Sequence, residues 1–254
     1  MTDWHPLRSP QDGGSNVWQD LDKQAQERAQ KAQSAKMPSL DHTSMKDFEQ
    51  VYEPSDDTYL LIDGIKADIE SNPKQKSART ILEIGSGSGV PITFLATLLS
   101  HPSLIIATDI NPKALRLTKQ TAIENGVTSL ETIQCDLASP ILSRLQNMVD
   151  IIIFNPPYVP TPDDEVSGNG IEASWAGGSK GRRVIDRAIP QIAKLLSKNG
   201  ICYLITVDDN EPEDIANIFK TFSLTMVPLV RRRAFNEYLS VQKISINHNL
   251  KDER

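Results

Sequence analysis

The stretch Ile151-Ile152-Ile153-Phe154-Asn155-Pro156-Pro157-Tyr158 carries an apolar run straight into an amide, two prolines and a tyrosine. Proline has no N–H and a fixed φ, so the apolar strand must stop at this point. Asn155 precedes a proline and is held extended. The corner therefore presents one carboxamide side chain and several backbone carbonyls. It suits the capture of a planar NH2 group, as found in a carboxamide or an adenine. The lone pair of such a nitrogen is delocalised, which makes it a poor nucleophile. The Asn155 side-chain oxygen and the Pro156 carbonyl can each accept one of its N–H bonds and aim the lone pair at an electrophile. That is catalysis by orientation and placed dipoles, with no covalent intermediate. Tyr158 can pack flat on the acceptor plane. The competing reading is a plain strand-terminating turn.

Three further strand ends carry unusual residues. Glu83-Ile84-Gly85-Ser86-Gly87-Ser88-Gly89-Val90 places glycines where a chain turns tightly and a ligand can approach the backbone. The dinucleotide fingerprint needs Gly or Ala at position 90, and Val90 breaks it. The acid two residues before the first glycine is awkward for a pyrophosphate and suits a ligand with a positive end. Asp109, in Thr108-Asp109-Ile110-Asn111-Pro112, follows the glycine loop by about 20 residues, where an acid accepts from ribose hydroxyls. Its alternative is to cap the helix opening at Pro112, for which Asn111 is the better candidate. Asp136, in Cys135-Asp136-Leu137, can accept from an adenine amino group with Leu137 against the ring, or can be a turn aspartate. Together these ends describe a pocket for an adenosine without phosphates and with a cationic tail, which is S-adenosylmethionine. The Asn155 corner would then hold the methyl acceptor, and a neutral Asn adds no charge beside the sulfonium.

The elements needed to position these ends are legible as alternation. Strands are expected at Thr80–Ile84, Leu104–Thr108, Glu131–Cys135, Asp150–Phe154, Ile201–Val207, Leu224–Val230 and Tyr238–Ser245. Helices are expected from Asp56, with Ser55 or Asp56 as cap, and at Val90–Leu99, Pro112–Asn125, Arg182–Leu196 and Glu211–Phe222. This pattern predicts an α/β fold, a seven-stranded mostly parallel sheet with helices on both faces. Arg231 to Asn236 is short enough for a hairpin-like return, so the last strand is expected to run antiparallel. Residues 1–45 read as a polar extension, a solvated helix or a disordered tail. Residues 46–246 read as the folded domain and 247–254 as a polar tail.

Bulk properties narrow the partners. A formal net charge of −6 over 254 residues argues against a protein that lives on nucleic-acid phosphates. The clusters Lys180–Arg183 and Arg231–Arg233 are solvated surface or substrate contacts. Cys135 and Cys202 read as free thiols in a reducing compartment. Four scattered histidines and no Cys-x-x-Cys give no metal site. No apolar run is long enough for a membrane span, and no secretory leader is visible. The expected location is the cytoplasm, with the nucleus as an additional one.

These residues resemble the class I S-adenosylmethionine-dependent methyltransferases, and within them the HemK-type protein-glutamine N5-methyltransferases of the eukaryotic and archaeal branch. The resemblance runs from Tyr52 to about Lys243. Beyond the strand ends above, it rests on Val51-Tyr52-Glu53-Pro54-Ser55-Asp56-Asp57-Thr58 and on Gly170-Ile171-Glu172-Ala173-Ser174-Trp175-Ala176-Gly177-Gly178. It implies a Rossmann-like fold and S-adenosylmethionine held by Thr58, Glu83, Gly85, Gly87, Asp109, Asp136, Leu137 and Asn155. It also implies that Asn155, Pro156, Pro157 and Tyr158 take the glutamine of a Gly-Gly-Gln motif in a translation release factor. A small zinc-binding activator is the implied heterodimer partner. In this fold the third strand is a sheet edge, and Leu130–Cys135 has no Pro or Lys to blunt it. Asn-Pro-Pro-Tyr is shared with adenine-N6 methyltransferases of nucleic acids, and some relatives are credited with methylating a histone lysine; both are alternatives. Ser55-Asp56 stands where relatives more often have Ala-Glu. Ala234-Phe235 stands where a smaller pair is expected.

Overall fold

The computed structural model describes residues 36–162, 166, 171–234 and 237–247. Expectations for residues 1–35 and 248–254 lie outside the described residues, as do Gly170 and Phe235. A short helix, α1 (Met45–Phe48), precedes α2 (Asp56–Ser71), and Ser55 caps α2 with Thr58 completing the capping box. The chain then alternates through β1 (Thr80–Ile84), α3 (Val90–Leu98), β2 (Leu104–Asp109), α4 (Pro112–Glu124), β3 (Leu130–Gln134) and β4 (Val149–Phe154). From Arg183 it continues through α5 (Arg183–Leu195), β5 (Leu196–Val207), α6 (Pro212–Thr221), β6 (Leu224–Ala234) and β7 (Glu237–Ile246).

The seven strands form one sheet in the order β3-β2-β1-β4-β5-β7-β6. Six run parallel, and β7 lies antiparallel between β5 and β6. The central strands are buried on both faces, which is why they read as continuous apolar runs. Side chains still alternate across the sheet. Ile81, Ile105, Ile151 and Ile153 join α2 and α3 in one core cluster. Leu82, Ile106, Ile152 and Phe154 join α5 and α6 in the other.

Two boundaries differ from expectation. β6 extends through Arg231, Arg232 and Arg233, which pair with Ser240, Leu239 and Tyr238 of β7, so these arginines are strand and not connection. The edge position tolerates them because Arg231 stacks over the Tyr238 ring at 4.4 Å and pairs with Asp208, while Arg232 pairs with Asp63. β5 opens at Leu196, earlier than Ile201, through an irregular register against Val149. Within the segment assigned to the extension, Pro38 is buried. Ser39 there exchanges hydrogen bonds with Asn125, and His42 bonds Thr121 on α4.

Candidate active site

The site follows from strand register. Ile84 at the end of β1 faces Thr108 on one side and Phe154 on the other. The next residues outward, Gly85, Asp109 and Asn155, therefore stand side by side at the carboxyl edge. Gln134 faces Asp109, which brings Cys135 and Asp136 to the same edge. The strand order reverses between β1 and β4, and a ligand crevice is expected at that switch point. A cavity of about 800 Å³ opens there. Every site residue named from the sequence lines it: Thr58, Glu83, Gly85, Gly87, Asp109, Asp136, Leu137, Asn155, Pro156, Pro157 and Tyr158.

The glycine loop is shaped by β2. Gly85 and Ser86 both donate backbone N–H bonds to the Thr108 carbonyl, at 2.8 and 3.0 Å. Gly89 has φ +77°, and a Cβ there would sit 2.7 Å from the Thr118 backbone, so only glycine lets α3 approach α4 this closely. Asp109 holds the loop: its carboxylate accepts from the Gly87 N–H at 2.9 Å and the Asn111 N–H at 2.8 Å. Asn111, not Asp109, caps α4, accepting from the Lys113 N–H at 2.9 Å. That removes the capping alternative for Asp109, which lines the cavity with acceptor capacity to spare. Burial raises the Asp109 carboxyl above its ordinary range, and the backbone N–H bonds partly offset this.

Glu83 is 2% exposed, and its Oε2 has no hydrogen-bond partner. Desolvation pushes its carboxyl well above the ordinary value; the Ile92 N–H partly offsets this, and the nearby Asp109 charge adds to it. A buried carboxylate oxygen left unpaired is costly unless a cationic or N–H donor ligand arrives. The groove thus fits the adenosine with a positive end read from the sequence.

Asn155 carries the second orphan. Its Nδ2 donates to Asp57 Oδ2 at 3.0 Å, and its buried Oδ1 has no partner. The Asp57 carboxylate also accepts from the Tyr52 hydroxyl at 3.1 Å and the Tyr158 hydroxyl at 3.2 Å. Tyr52 is correspondingly held neutral, its hydroxyl pushed up by burial and by the adjacent Asp57 charge. An ionised carboxylate only accepts, so Asp57 turns the amide nitrogen toward itself and leaves Oδ1 as the free acceptor. Asp57 escaped the sequence reading because a first-turn acid on α2 reads as a favourable helix-dipole residue. Its place five residues after Tyr52 inside the Tyr-Glu-Pro stretch was the available signal.

Asp136 sits at the cavity but is paired with Arg187 of α5, a residue the sequence reading did not bring to this site. Leu137 adopts φ +54°, a strained conformation for a leucine, with its side chain buried at the cavity wall. Trp175 also lines the cavity, and its carbonyl accepts from the Val159 N–H at 3.0 Å. In return Gly177 donates to the Val159 carbonyl at 2.8 Å, so the Trp-Ala-Gly-Gly stretch backs the chain leaving the Asn155 corner. Four cations of the basic clusters are held by acids: Lys180 by Glu211, Arg182 by Asp186 and Asp214, Arg231 by Asp208 and Arg232 by Asp63.

Comparison with known proteins agrees with this architecture. A family model described as a methyltransferase domain matches residues 75–244. The protein named Methyltransferase HEMK2 of Homo sapiens is 43% identical over 208 residues, covering 82% of this chain and 95% of that protein. The eRF1 methyltransferase catalytic subunit mtq2 of Schizosaccharomyces pombe is 33% identical over 229 residues, covering 85% of this chain and 98% of that one. Among solved structures, the E. cuniculi Mtq2-Trm112 complex, described as responsible for methylating the eRF1 translation termination factor, superposes with TM-score 0.58 at 26% identity. That match covers 77% of this chain and 98% of the other.

Proposed function

The chain belongs to the methyltransferase-domain family that includes HEMK2 and Mtq2, and from that membership we propose that it N5-methylates the glutamine of a Gly-Gly-Gln motif in a translation release factor. The observation that carries the acceptor half is the buried Asn155 Oδ1, left without a partner and fixed as an acceptor by Asp57. S-adenosylmethionine, when bound, supplies an electrophilic methyl on a sulfonium. Glu83 and Asp109 would hold its positive end and its ribose hydroxyls, Gly85 and Gly87 let it approach the backbone, and Thr58 closes over its amino-acid end. Asp136 and Leu137 would take the adenine edge and face.

Asn155 Oδ1 and the Pro156 carbonyl each accept one N–H of the glutamine amide, which sets the nitrogen's lone pair toward the methyl. Pro157 stiffens the corner, and the Tyr158 ring, tied by its hydroxyl to Asp57, covers the amide plane. Asp57 keeps the Asn155 amide from flipping. Neither a nucleic-acid adenine nor a histone lysine gains a specific supporting feature: Lys180, Arg182, Arg231 and Arg232 are paired with carboxylates, and a lysine ammonium has no planar NH2 for two acceptors to orient.

A small zinc-binding subunit on the β3 edge completes the reading. β3 is a terminal strand whose Glu131 and Gln134 are exposed. The far edge, β6, is blunted by Pro228, by a bulge between Pro228 and Val230, and by its arginines. On β3 Lys119 intervenes, bonding the Leu130 carbonyl and pairing with Glu131 at 3.7 Å. Two free cysteines fit a cytoplasmic or nuclear location.

The test is Asn155→Ala. Methyl transfer to release factor should fall by at least about a hundredfold, as for loss of an oriented dipole at the reacting centre. S-adenosylmethionine affinity by calorimetry should change by less than about 1 kcal/mol, less than the usual worth of a hydrogen bond. Near-normal turnover of Asn155→Ala would remove the basis of the acceptor assignment.

A further inference from the structure

Behind the Asn155 corner, and outside the cavity, lies a second asparagine. Asn210 ends the single helical turn Asp208–Asn210 that follows β5, and it is 0% exposed. Its Oδ1 accepts from the Val207 N–H at 2.8 Å. Its Nδ2 donates to the Tyr158 carbonyl at 2.9 Å and to the Lys180 carbonyl at 2.9 Å. Both amide hydrogens and the amide oxygen are thus satisfied by backbone from three separate segments.

The surroundings are built tightly around these bonds. Gly181 has φ +66°, and a Cβ there would lie 1.8 Å from the Tyr158 oxygen and 2.6 Å from Asn210 Nδ2. Lys180 and Glu211, on either side of the clamp, both adopt positive φ, +56° and +54°, and pair with each other at 2.7 Å. Two non-glycine residues in that conformation persist only where surrounding contacts over-determine them.

We infer that Asn210 is a positioning residue for methyl transfer, pinning the Tyr158 carbonyl and through it the Pro156 carbonyl and the Tyr158 ring. The inference rests on the reading that this corner holds the acceptor amide. Only Pro156 and Pro157 separate Asn155 from Tyr158, and proline fixes φ at each. The corner's start is fixed by the pairing of Phe154 with Ile84 and Leu204. The tyrosine hydroxyl is fixed by Asp57. The Tyr158–Val159 peptide closes this short rigid span: its N–H donates to the Trp175 carbonyl, and Asn210 holds its carbonyl. Asn210 does not line the cavity, so its loss should act on orientation and leave cofactor binding intact.

The experiment is steady-state methyl transfer by Asn210→Ser, with the full chain co-expressed with its partner subunit and release factor as substrate. Rates are normalised to the number of S-adenosylmethionine sites counted by calorimetry, so a partly folded preparation still gives a kcat. Serine fits the site but cannot donate to two carbonyls at once. The expected result is a kcat lower by about 10–100-fold, the range for small misplacement of a reacting group. Cofactor Kd and the KM for release factor should stay within about twofold, the change that separates orientation from binding. Gly181→Ala, which drives a methyl into the contact between the Tyr158 carbonyl and Asn210 Nδ2, should reproduce the kcat loss. An unchanged kcat in Asn210→Ser would overturn the assignment. So would a parallel loss in Kd, KM and kcat, which marks a merely structural role. Wild-type protein inactive on Gly-Gly-Gln would instead sink the function reading, and the two failures are thereby distinct.

Discussion

Glu83 and Asp57 are both buried acids, but their partners give them different work. Asp57, 3% exposed, is fully engaged by Tyr52, Tyr158 and Asn155. Glu83 keeps an unpaired oxygen and a raised carboxyl pKa. The sign of its pH effect follows. A carboxyl whose folded pKa lies above its ordinary 4.5 favours the fold while protonated, and that contribution is lost as pH rises through the folded value. Glu83→Gln should therefore make the ligand-free protein more stable at neutral pH, with Tm higher by roughly 2–4 °C for each 1 kcal/mol of relieved desolvation. Cofactor binding runs the other way, because only the ionised form attracts a positive end. S-adenosylmethionine affinity should weaken as pH falls through the raised Glu83 value, and Glu83→Gln should bind more weakly at neutral pH with a flatter profile. Calorimetry across pH checks both; a wild-type profile identical to that of Glu83→Gln would refute this role.

The β1–α3 junction shows what the elements demand of single positions. Gly89→Ala places a Cβ 2.7 Å from the Thr118 backbone in a left-handed conformation. A loss of about 1–3 kcal/mol is expected, read by denaturant unfolding, because α3 must shift from α4. Stability within about 0.5 kcal/mol of wild type would show that the two helices have slack there. The strand ends were legible because glycine, proline and acids punctuate apolar runs: Gly85, Asp109, Asp136 and Asn155 could each be placed from neighbours in sequence. What was not legible depends on approach across the fold. Asp57 reaches Asn155 across 98 residues, Asn210 reaches Tyr158 across 52, and Arg187 reaches Asp136 across 51. Asn210 and Arg187 have no local pattern that sets them apart from a turn amide or a surface cation, and Asp57 has only its place in the Tyr-Glu-Pro stretch to distinguish it from a helix acid. The strand content of Arg231–Arg233 was hidden for a similar reason, since Tyr238, Asp208 and Asp63 supply the packing that charged residues lack in isolation.

The molecule as a whole has one blunted sheet edge and one open one. Beside the open edge, Ile110 is 64% exposed, and the Gln134 side-chain amide donates to its carbonyl at 3.3 Å. A large apolar side chain next to an unpaired strand is the arrangement that strand addition by a second chain would cover. Ile110→Asp should abolish co-purification of the small partner subunit and lower soluble yield. The fold's own core should be untouched, because Ile110 lies outside both large core clusters. Full recovery of the heterodimer with Ile110→Asp would move the interface elsewhere.

The central claim is that the Asn155 corner takes a glutamine amide beside S-adenosylmethionine. The most direct measurement is transfer of a labelled methyl group from S-adenosylmethionine by the co-expressed complex. Release factor bearing Gly-Gly-Gln, the same protein bearing Gly-Gly-Ala, and duplex DNA are offered in parallel. Label confined to the Gly-Gly-Gln protein is the predicted result. Label on DNA, or equal label on the Gly-Gly-Ala protein, would show that this corner serves a different nitrogen.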